Sequence, residues 1–195
     1  MKNNFIALAY LLFLCSINLY GQETKEVNLI NLDGSWEKEI FKFPISFAPS
    51  INYQGYEEAR FPPIGWSSVH HPNFWSYTFA WSIDKKSQIT TNDLETDLQK
   101  YFDGLMKVHT SKELKEHKTV ALFIKKERAL FVGKIKTYDR FTTKKPISLN
   151  VLVESHFCKK QEKLILLFKF SPKDFTHQTW EMLDRITLVN NYCNQ

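Results

Sequence analysis

Glycine, and the motifs built on it, are scarce in this chain. Only 6 of the 195 residues are glycine. None belongs to a P-loop, a dinucleotide-binding fingerprint or a G-x-S-x-G nucleophile elbow. The histidines and cysteines form no H-x-x-x-H, H-E-x-x-H or C-x-x-C pattern either. We therefore expect no phosphate cradle, no nucleotide cofactor and no α/β-hydrolase nucleophile, and we predict no cofactor of any kind.

Long apolar runs are also lacking, with one exception at the start of the chain. Phe5–Leu19 is almost unbroken, follows the positive charge of Lys2, and gives way to polar residues after Gly21. This order is typical of a secretory signal peptide, and the run is shorter than the roughly 20 residues of a membrane span. We expect residues 1–21 to be removed, which leaves no stable membrane span and a periplasmic or extracellular protein. Uncleaved anchoring is the alternative; lipidation at Cys15 is disfavoured because Leu14 is not small.

The charge pattern is mild. The formal net charge is +5, and lysines are interspersed with acids along the chain. This pattern favours a solvated surface and predicts no nucleic-acid partner. The length of residues 22–195 fits a single domain.

Two cysteines, Cys158 and Cys193, follow the signal segment. Exported proteins meet oxidising conditions, so the pair is predicted to form a disulfide that ties the C-terminus to a strand. Two free thiols are the alternative. Neither cysteine lies in a context that favours a catalytic thiolate.

The stretch 74–84 organises the rest of the chain. Large side chains alternate along it with the small Ser76, Thr78, Ala80 and Ser82. This period of two predicts a core strand with rings on one face and room on the other for a helix or a ligand.

The remaining elements indicate an α+β fold. Further strands are predicted at 26–32, 36–43, 53–61, 120–124, 129–141, 147–157 and 163–170. A helix is predicted from Asn92 to Val108, with Asn92 as the cap and Glu95 completing a capping box. A second begins at Ser171-Pro172, runs to about Val189 and buries Trp180, Leu183 and Ile186. We expect an antiparallel sheet of about five to seven strands with two helices packed on one face.

Candidate site residues concentrate between Glu57 and Trp75. His70-His71 and the nearby glutamates suggest a zinc site, but adjacent strand residues point to opposite faces, so no metal site is predicted. Glu58 and Arg60 share a face and are expected to form a surface ion pair of about 0–1 kcal/mol. Glu57 and Glu58 lie on opposite faces, which disfavours a glycosidase pair.

The chain is rich in aromatic residues, which make up 15% of it. Most are expected in the core, but such residues also line apolar pockets. Trp66 and Trp75 are the strongest candidates for a pocket because both border the loop that contains the prolines and histidines. The predicted ligand-binding residues are Glu58, Arg60, Trp66, His70, His71 and Trp75.

Part of the chain resembles a known group of proteins. The segments Phe43-Pro44-Ile45-Ser46-Phe47-Ala48-Pro49, Tyr53-Gln54-Gly55-Tyr56-Glu57-Glu58-Ala59-Arg60-Phe61, Gly65-Trp66 and Phe74-Trp75-Ser76-Tyr77-Thr78-Phe79-Ala80-Trp81 look like those of small exported bacterial proteins of unassigned function. The resemblance covers mainly residues 43–106. It implies a signal peptide and one α+β domain, and it transfers no catalytic residue. The order of elements also resembles the PsbP-like fold, by topology alone.

Three functions remain in view from the sequence. The first is a non-enzymatic exported domain that binds a small apolar ligand or a partner through the segment 57–75, where binding residues concentrate in a loop. The second is a metal-assisted hydrolase that uses His70, His71 and a glutamate. The third is an accessory protein that binds a partner in the cell envelope.

Overall fold

The computed structural model describes residues 28–107 and 116–194. The predicted signal peptide therefore lies outside the described residues, as do Glu26, Val27 and Val108. In the described part, no helix is both long and apolar enough to cross a bilayer.

A seven-stranded antiparallel sheet forms the centre of the molecule. Its strands are β2 (Glu37–Phe43), β3 (Gly55–Phe61), β4 (Tyr77–Ile83), β5 (Val120–Lys125), β6 (Leu130–Asp139), β7 (Lys145–Cys158) and β8 (Lys163–Ser171). They are ordered β2-β3-β4-β8-β7-β6-β5. Two helices, α1 (Thr91–Leu105) and α2 (Gln178–Asp184), accompany the sheet. The predicted α+β class and antiparallel sheet are confirmed.

Strand β4 lies inside the sheet, paired with β3 and β8, and all seven of its residues are buried. Its rings occupy one face, where Phe79 lies 4.6 Å from Phe168 between ring centroids. Its small residues occupy the other face, where Ala80 packs in a cluster with Trp180 and Leu183 of α2. A strand with this alternation is confirmed over Tyr77–Ile83, but it begins three residues later than the predicted stretch, because Trp75 has a left-handed backbone with a φ of +52°. The room beside its small face is filled by a helix.

The two helices belong to different clusters. In α1, the ring centroid of Tyr101 lies 5.2 Å from that of Phe79, whereas α2 packs with Ala80. Phe79 and Ala80 are neighbours on one strand and therefore point to opposite faces of the sheet. The prediction that both helices cover one face is not confirmed.

Helix α1 begins one residue earlier than predicted, and its cap lies two residues earlier. Thr90 is the cap: its hydroxyl accepts a hydrogen bond from the Asp93 N–H at 3.1 Å, and the Asp93 carboxylate accepts one from the Thr90 N–H at 2.9 Å. The predicted cap, Asn92, lies inside the helix. Glu95 instead accepts a bond from the Phe123 N–H at 2.8 Å and so ties α1 to β5.

The last helix is shorter than predicted. Ser171 ends β8, and its hydroxyl bonds to the Ser76 hydroxyl at 2.8 Å and accepts from the Lys173 N–H at 3.1 Å. These bonds close a turn rather than cap a helix. The helix starts at Gln178 behind His177, whose Nδ1 accepts from the Thr179 N–H at 3.1 Å. The predicted stripe of Trp180, Leu183 and Ile186 is buried.

The predicted first strand, Glu26–Leu32, does not join the main sheet over its described residues, 28–32. Its described part contains only β1 (Ile30–Asn31), which pairs with β9 (Thr187–Leu188) in a separate two-stranded sheet. This small sheet accompanies the α2 cluster, to which Leu29 and Ile30 contribute.

Cys158 and Cys193 form the predicted disulfide, with Cα atoms 5.5 Å apart. The bond joins the end of β7 to the short turn Tyr192–Asn194.

Replacing both cysteines by serine is expected to lower the free energy of unfolding by about 2–4 kcal/mol, because the open chain gains conformational freedom when it unfolds. Denaturant titration of the variant beside the oxidised wild type measures the difference. Reduction of the wild type should produce a similar loss. Equal midpoints for the oxidised wild type, the reduced wild type and the variant would show that the bond adds no stability.

Candidate functional site

A cavity of about 360 Å³ lies on the α1 side of the sheet, at the end formed by β2, β3 and β4. Alternate residues of a strand share a face, so β2 and β3 each contribute every second residue. These strands supply Glu37, Glu39, Phe41, Ala59 and Phe61. The other lining residues come from β4, α1 and three connections: Phe47, Trp66, Trp75, Tyr77, Tyr101, Leu105 and Phe141.

Aromatic side chains form most of the wall. Trp66 is the hub, with its ring centroid 5.1 Å from Phe61, 5.4 Å from Trp75 and 6.3 Å from Tyr77. Phe141, which is 47% exposed, lies 6.1 Å from Trp75 at the outer side. Edge-to-face and tilted ring pairs of this kind stabilise one another beyond their buried area.

The loop between β3 and β4 places Trp66 by close backbone packing. Gly65 has a φ of +90°, and a Cβ added there would lie 1.9 Å from Nδ1 of His71. The Trp75 N–H then donates to the Trp66 carbonyl oxygen at 3.0 Å, which holds the two tryptophans together. A side chain at Gly65 is therefore incompatible with this loop.

A second close approach brings Phe47 to the cavity. A Cβ added at Gly104 of α1 would lie 2.0 Å from the Phe47 carbonyl oxygen. The absence of a side chain at Gly104 thus lets the connection after β2 rest directly on the helix. Phe47 then packs edge-to-face on Tyr101, with ring centroids 5.0 Å apart.

Two polar atoms of the lining residues have no partner in the described part of the chain. They are Nε1 of Trp66 and the hydroxyl oxygen of Tyr77, and both are shielded from solvent. An unsatisfied buried polar group costs about 1–3 kcal/mol, and such groups mark places where a ligand or water belongs. Because neither atom is accessible to solvent, a ligand in the cavity contacts them only if neighbouring aromatic side chains change conformation.

Glu57 lies directly beneath the cavity wall and is fully buried. Its carboxylate accepts hydrogen bonds from Trp81 Nε1 at 2.6 Å and from the Tyr101 hydroxyl at 2.8 Å. Burial raises the pKa of Glu57 to about 8, against the smaller lowering effect of these two donors. Burial also raises the pKa of Tyr101. Glu57 thus contacts Tyr101, which lines the cavity, but does not line it itself. The charge of Glu57 depends on pH near neutrality.

Glu37 and Glu39 are the charged members of the lining. Both are exposed, and they lie two positions apart on one face of the edge strand β2. Partial burial, and then the charge of Glu37, raise the pKa of Glu39. The cavity therefore has an apolar interior and carboxylates on one side.

Two of the predicted ligand-binding residues, Trp66 and Trp75, meet at this cavity. Glu58 and Arg60 do not, because they occupy the opposite face of β3. Arg60 Nε lies 2.7 Å from the Glu58 carboxylate, and both side chains are buried. The prediction of a surface ion pair is wrong. The segment around Leu29 covers the pair, and the Leu29 N–H donates to Glu58 at 2.5 Å.

The two histidines also lie apart from the cavity lining. His70 is exposed, whereas His71 is half-buried and accepts the Asn73 N–H on Nδ1 at 3.1 Å. Within residues 28–107 and 116–194, no three His, Cys, Asp or Glu side chains are grouped so that they could hold a metal ion. The described geometry therefore does not assemble the site that the hydrolase hypothesis needs.

Sequence reasoning did not single out several lining residues. One face of β2 contributes every second residue to the lining, namely Glu37, Glu39 and Phe41. This alternation can be recognised in the sequence. Phe47, Tyr101 and Phe141 come from three distant elements, and no local pattern joins them.

Comparison of the chain with family models, with curated proteins and with solved structures finds no match.

Proposed function

We propose that this is an exported, non-enzymatic domain that binds a small apolar ligand in the aromatic cavity. The cavity itself carries the proposal: its volume of about 360 Å³ and its eight aromatic side chains are typical of small-molecule sites. The segment 57–75 contributes to the site through Ala59, Phe61, Trp66 and Trp75, which agrees with the role expected for it.

Export supports the same function. The signal-like segment 1–21 and the disulfide both fit a protein that works outside the cytoplasm. A carrier or sensor of a small molecule in that compartment needs a cavity but does not need a catalytic group.

Partial filling of the cavity should weaken binding. The fluorescent ketone Prodan is a suitable neutral probe, because its emission shifts to the blue in apolar surroundings. We expect Prodan to bind the wild type with a blue shift, and Ala59→Leu to weaken binding at least about tenfold by placing three carbons inside the cavity. Fluorescence titration measures both dissociation constants.

The matched control addresses a second apolar surface. Strand β5 lies at the sheet edge and exposes Val120, Leu122 and Ile124. Leu122→Ser should leave Prodan binding unchanged. If Leu122→Ser weakens binding and Ala59→Leu does not, the probe occupies β5 and the proposed function is wrong.

A further inference from the structure

The two charged residues that line the cavity are both acidic, and the nearby Arg140 guanidinium lies over the ring of Phe141, 5.8 Å from its centroid. Glu37 and Glu39 contribute carboxylates, and no lysine, arginine or histidine is among the lining residues. Among residues 28–107 and 116–194, neither carboxylate forms an ion pair. The chain as a whole is basic, with a net charge of +5, so this acidic rim runs against the overall charge.

The two exposed carboxylates of the acidic rim carry like charges on one strand face. Glu37 and Glu39 repel each other across one strand face, and burial and this repulsion together raise the pKa of Glu39. A positive group between them and the rings would relieve the repulsion. An anionic group would increase it.

The neighbouring rings suit a positive group as well. A cation within about 6 Å of an aromatic ring face is attracted by the ring quadrupole, most strongly by tryptophan. Trp66 contacts Phe61, Trp75 and Tyr77, with ring centroids between 5.1 and 6.3 Å apart, and all four residues line the cavity.

We propose that the ligand is an organic cation: an apolar ring or chain that bears an amine or a quaternary ammonium group. The apolar part occupies the aromatic interior, and the positive group lies on the side of Glu37 and Glu39. This inference rests on the proposed function, because it assigns a ligand class to the same cavity.

Three naphthalene compounds of similar size separate charge from shape. They are (2-naphthylmethyl)trimethylammonium, its uncharged carbon isostere 2-neopentylnaphthalene, and the anion 2-naphthylacetate. Displacement of Prodan measures the affinity of each. We expect the cation to bind between about two-fold and thirty-fold more tightly than the isostere, the range that cation–π contacts produce, and the anion to bind most weakly.

A double variant tests the carboxylates. Glu37→Gln/Glu39→Gln should reduce the preference for the cation over the isostere while leaving the affinity of the isostere within about two-fold. The control is Glu162→Gln/Glu181→Gln, which removes the same charge at two residues outside the cavity lining. This control should keep the preference.

The outcomes separate the two proposals. If the isostere binds and the cation binds no better, the organic-cation inference is overturned and the cavity remains a ligand site. If the control pair lowers the preference as much as the rim pair, net charge rather than the rim is responsible, and the inference also fails. If neither the compounds nor Prodan binds, the proposed function itself falls.

Discussion

Replacing Arg60 by methionine is expected to lower the free energy of unfolding by about 3–5 kcal/mol, one of the two largest effects predicted for this protein. Glu58 is fully buried and Arg60 is 5% exposed, so the variant leaves a buried carboxylate without its cation. The Leu29 N–H would still bond to Glu58, but a neutral donor does not compensate a full charge. Chemical denaturation of the variant and the wild type measures the difference.

A double variant tests whether the loss of stability comes from the buried charge that has no partner. Glu58→Gln/Arg60→Met removes both charges and should recover a substantial part of the lost stability. The control is Glu162→Gln, which breaks the exposed pair with Lys86 and should change stability by less than about 1 kcal/mol. Equal losses for Arg60→Met and the double variant would contradict this explanation.

The stability of the wild type is expected to fall as pH rises from about 5 to about 9. The pKa of Glu57 is about 8 in the folded protein and near 4.5 when the chain is unfolded, so the folded state binds more protons between these values. Stability must decrease with pH wherever the folded state binds more protons. At about 1.4 kcal/mol per pKa unit, the total loss is on the order of 4 kcal/mol, complete above the folded pKa.

Glu57→Gln should flatten this profile. The amide oxygen can accept from Trp81 Nε1, and the amide N–H can donate to the Tyr101 hydroxyl oxygen, so both contacts survive without a titrating group. Thermal unfolding between pH 5 and pH 9 avoids the acid range, where Asp139 and Glu154, whose pKa values are lowered, lose their own stabilisation. A wild-type profile as flat as that of Glu57→Gln would show that Glu57 keeps an ordinary pKa.

The sheet was largely predictable because its strands alternate strongly. In β4 the alternation of large and small side chains indicates the strand and the residues that share a face, and in β7 the alternation also indicates the buried face. The helix ends were less predictable. Thr90 and Asn92 are both good caps by residue type, and the choice depends on Asp93 reaching back to the Thr90 N–H. Ser171 and Pro172 form a favourable helix start, but the Ser171 hydroxyl is engaged by Ser76 from another strand.

The candidate site was predictable only in part, because it also depends on contacts between distant parts of the chain. The positions of Trp66 and Trp75 beside a loop rich in turn formers were informative, since that loop places both tryptophans at the cavity. The burial of Glu58 and Arg60 was not predictable, because it depends on Leu29 and Ile30 covering that face from outside the sheet. The cavity also needs Phe47, Tyr101 and Phe141, which meet only in the folded chain.

The most direct test of the account is to locate a bound ligand by nuclear magnetic resonance. Intermolecular nuclear Overhauser effects would be recorded between (2-naphthylmethyl)trimethylammonium and the isotope-labelled protein. The account predicts cross-peaks from the naphthyl protons to the rings of Trp66 and Tyr77, and from the methyl protons to the side chains of Glu37 or Glu39. Cross-peaks confined to Val120, Leu122 and Ile124 of β5 would contradict it.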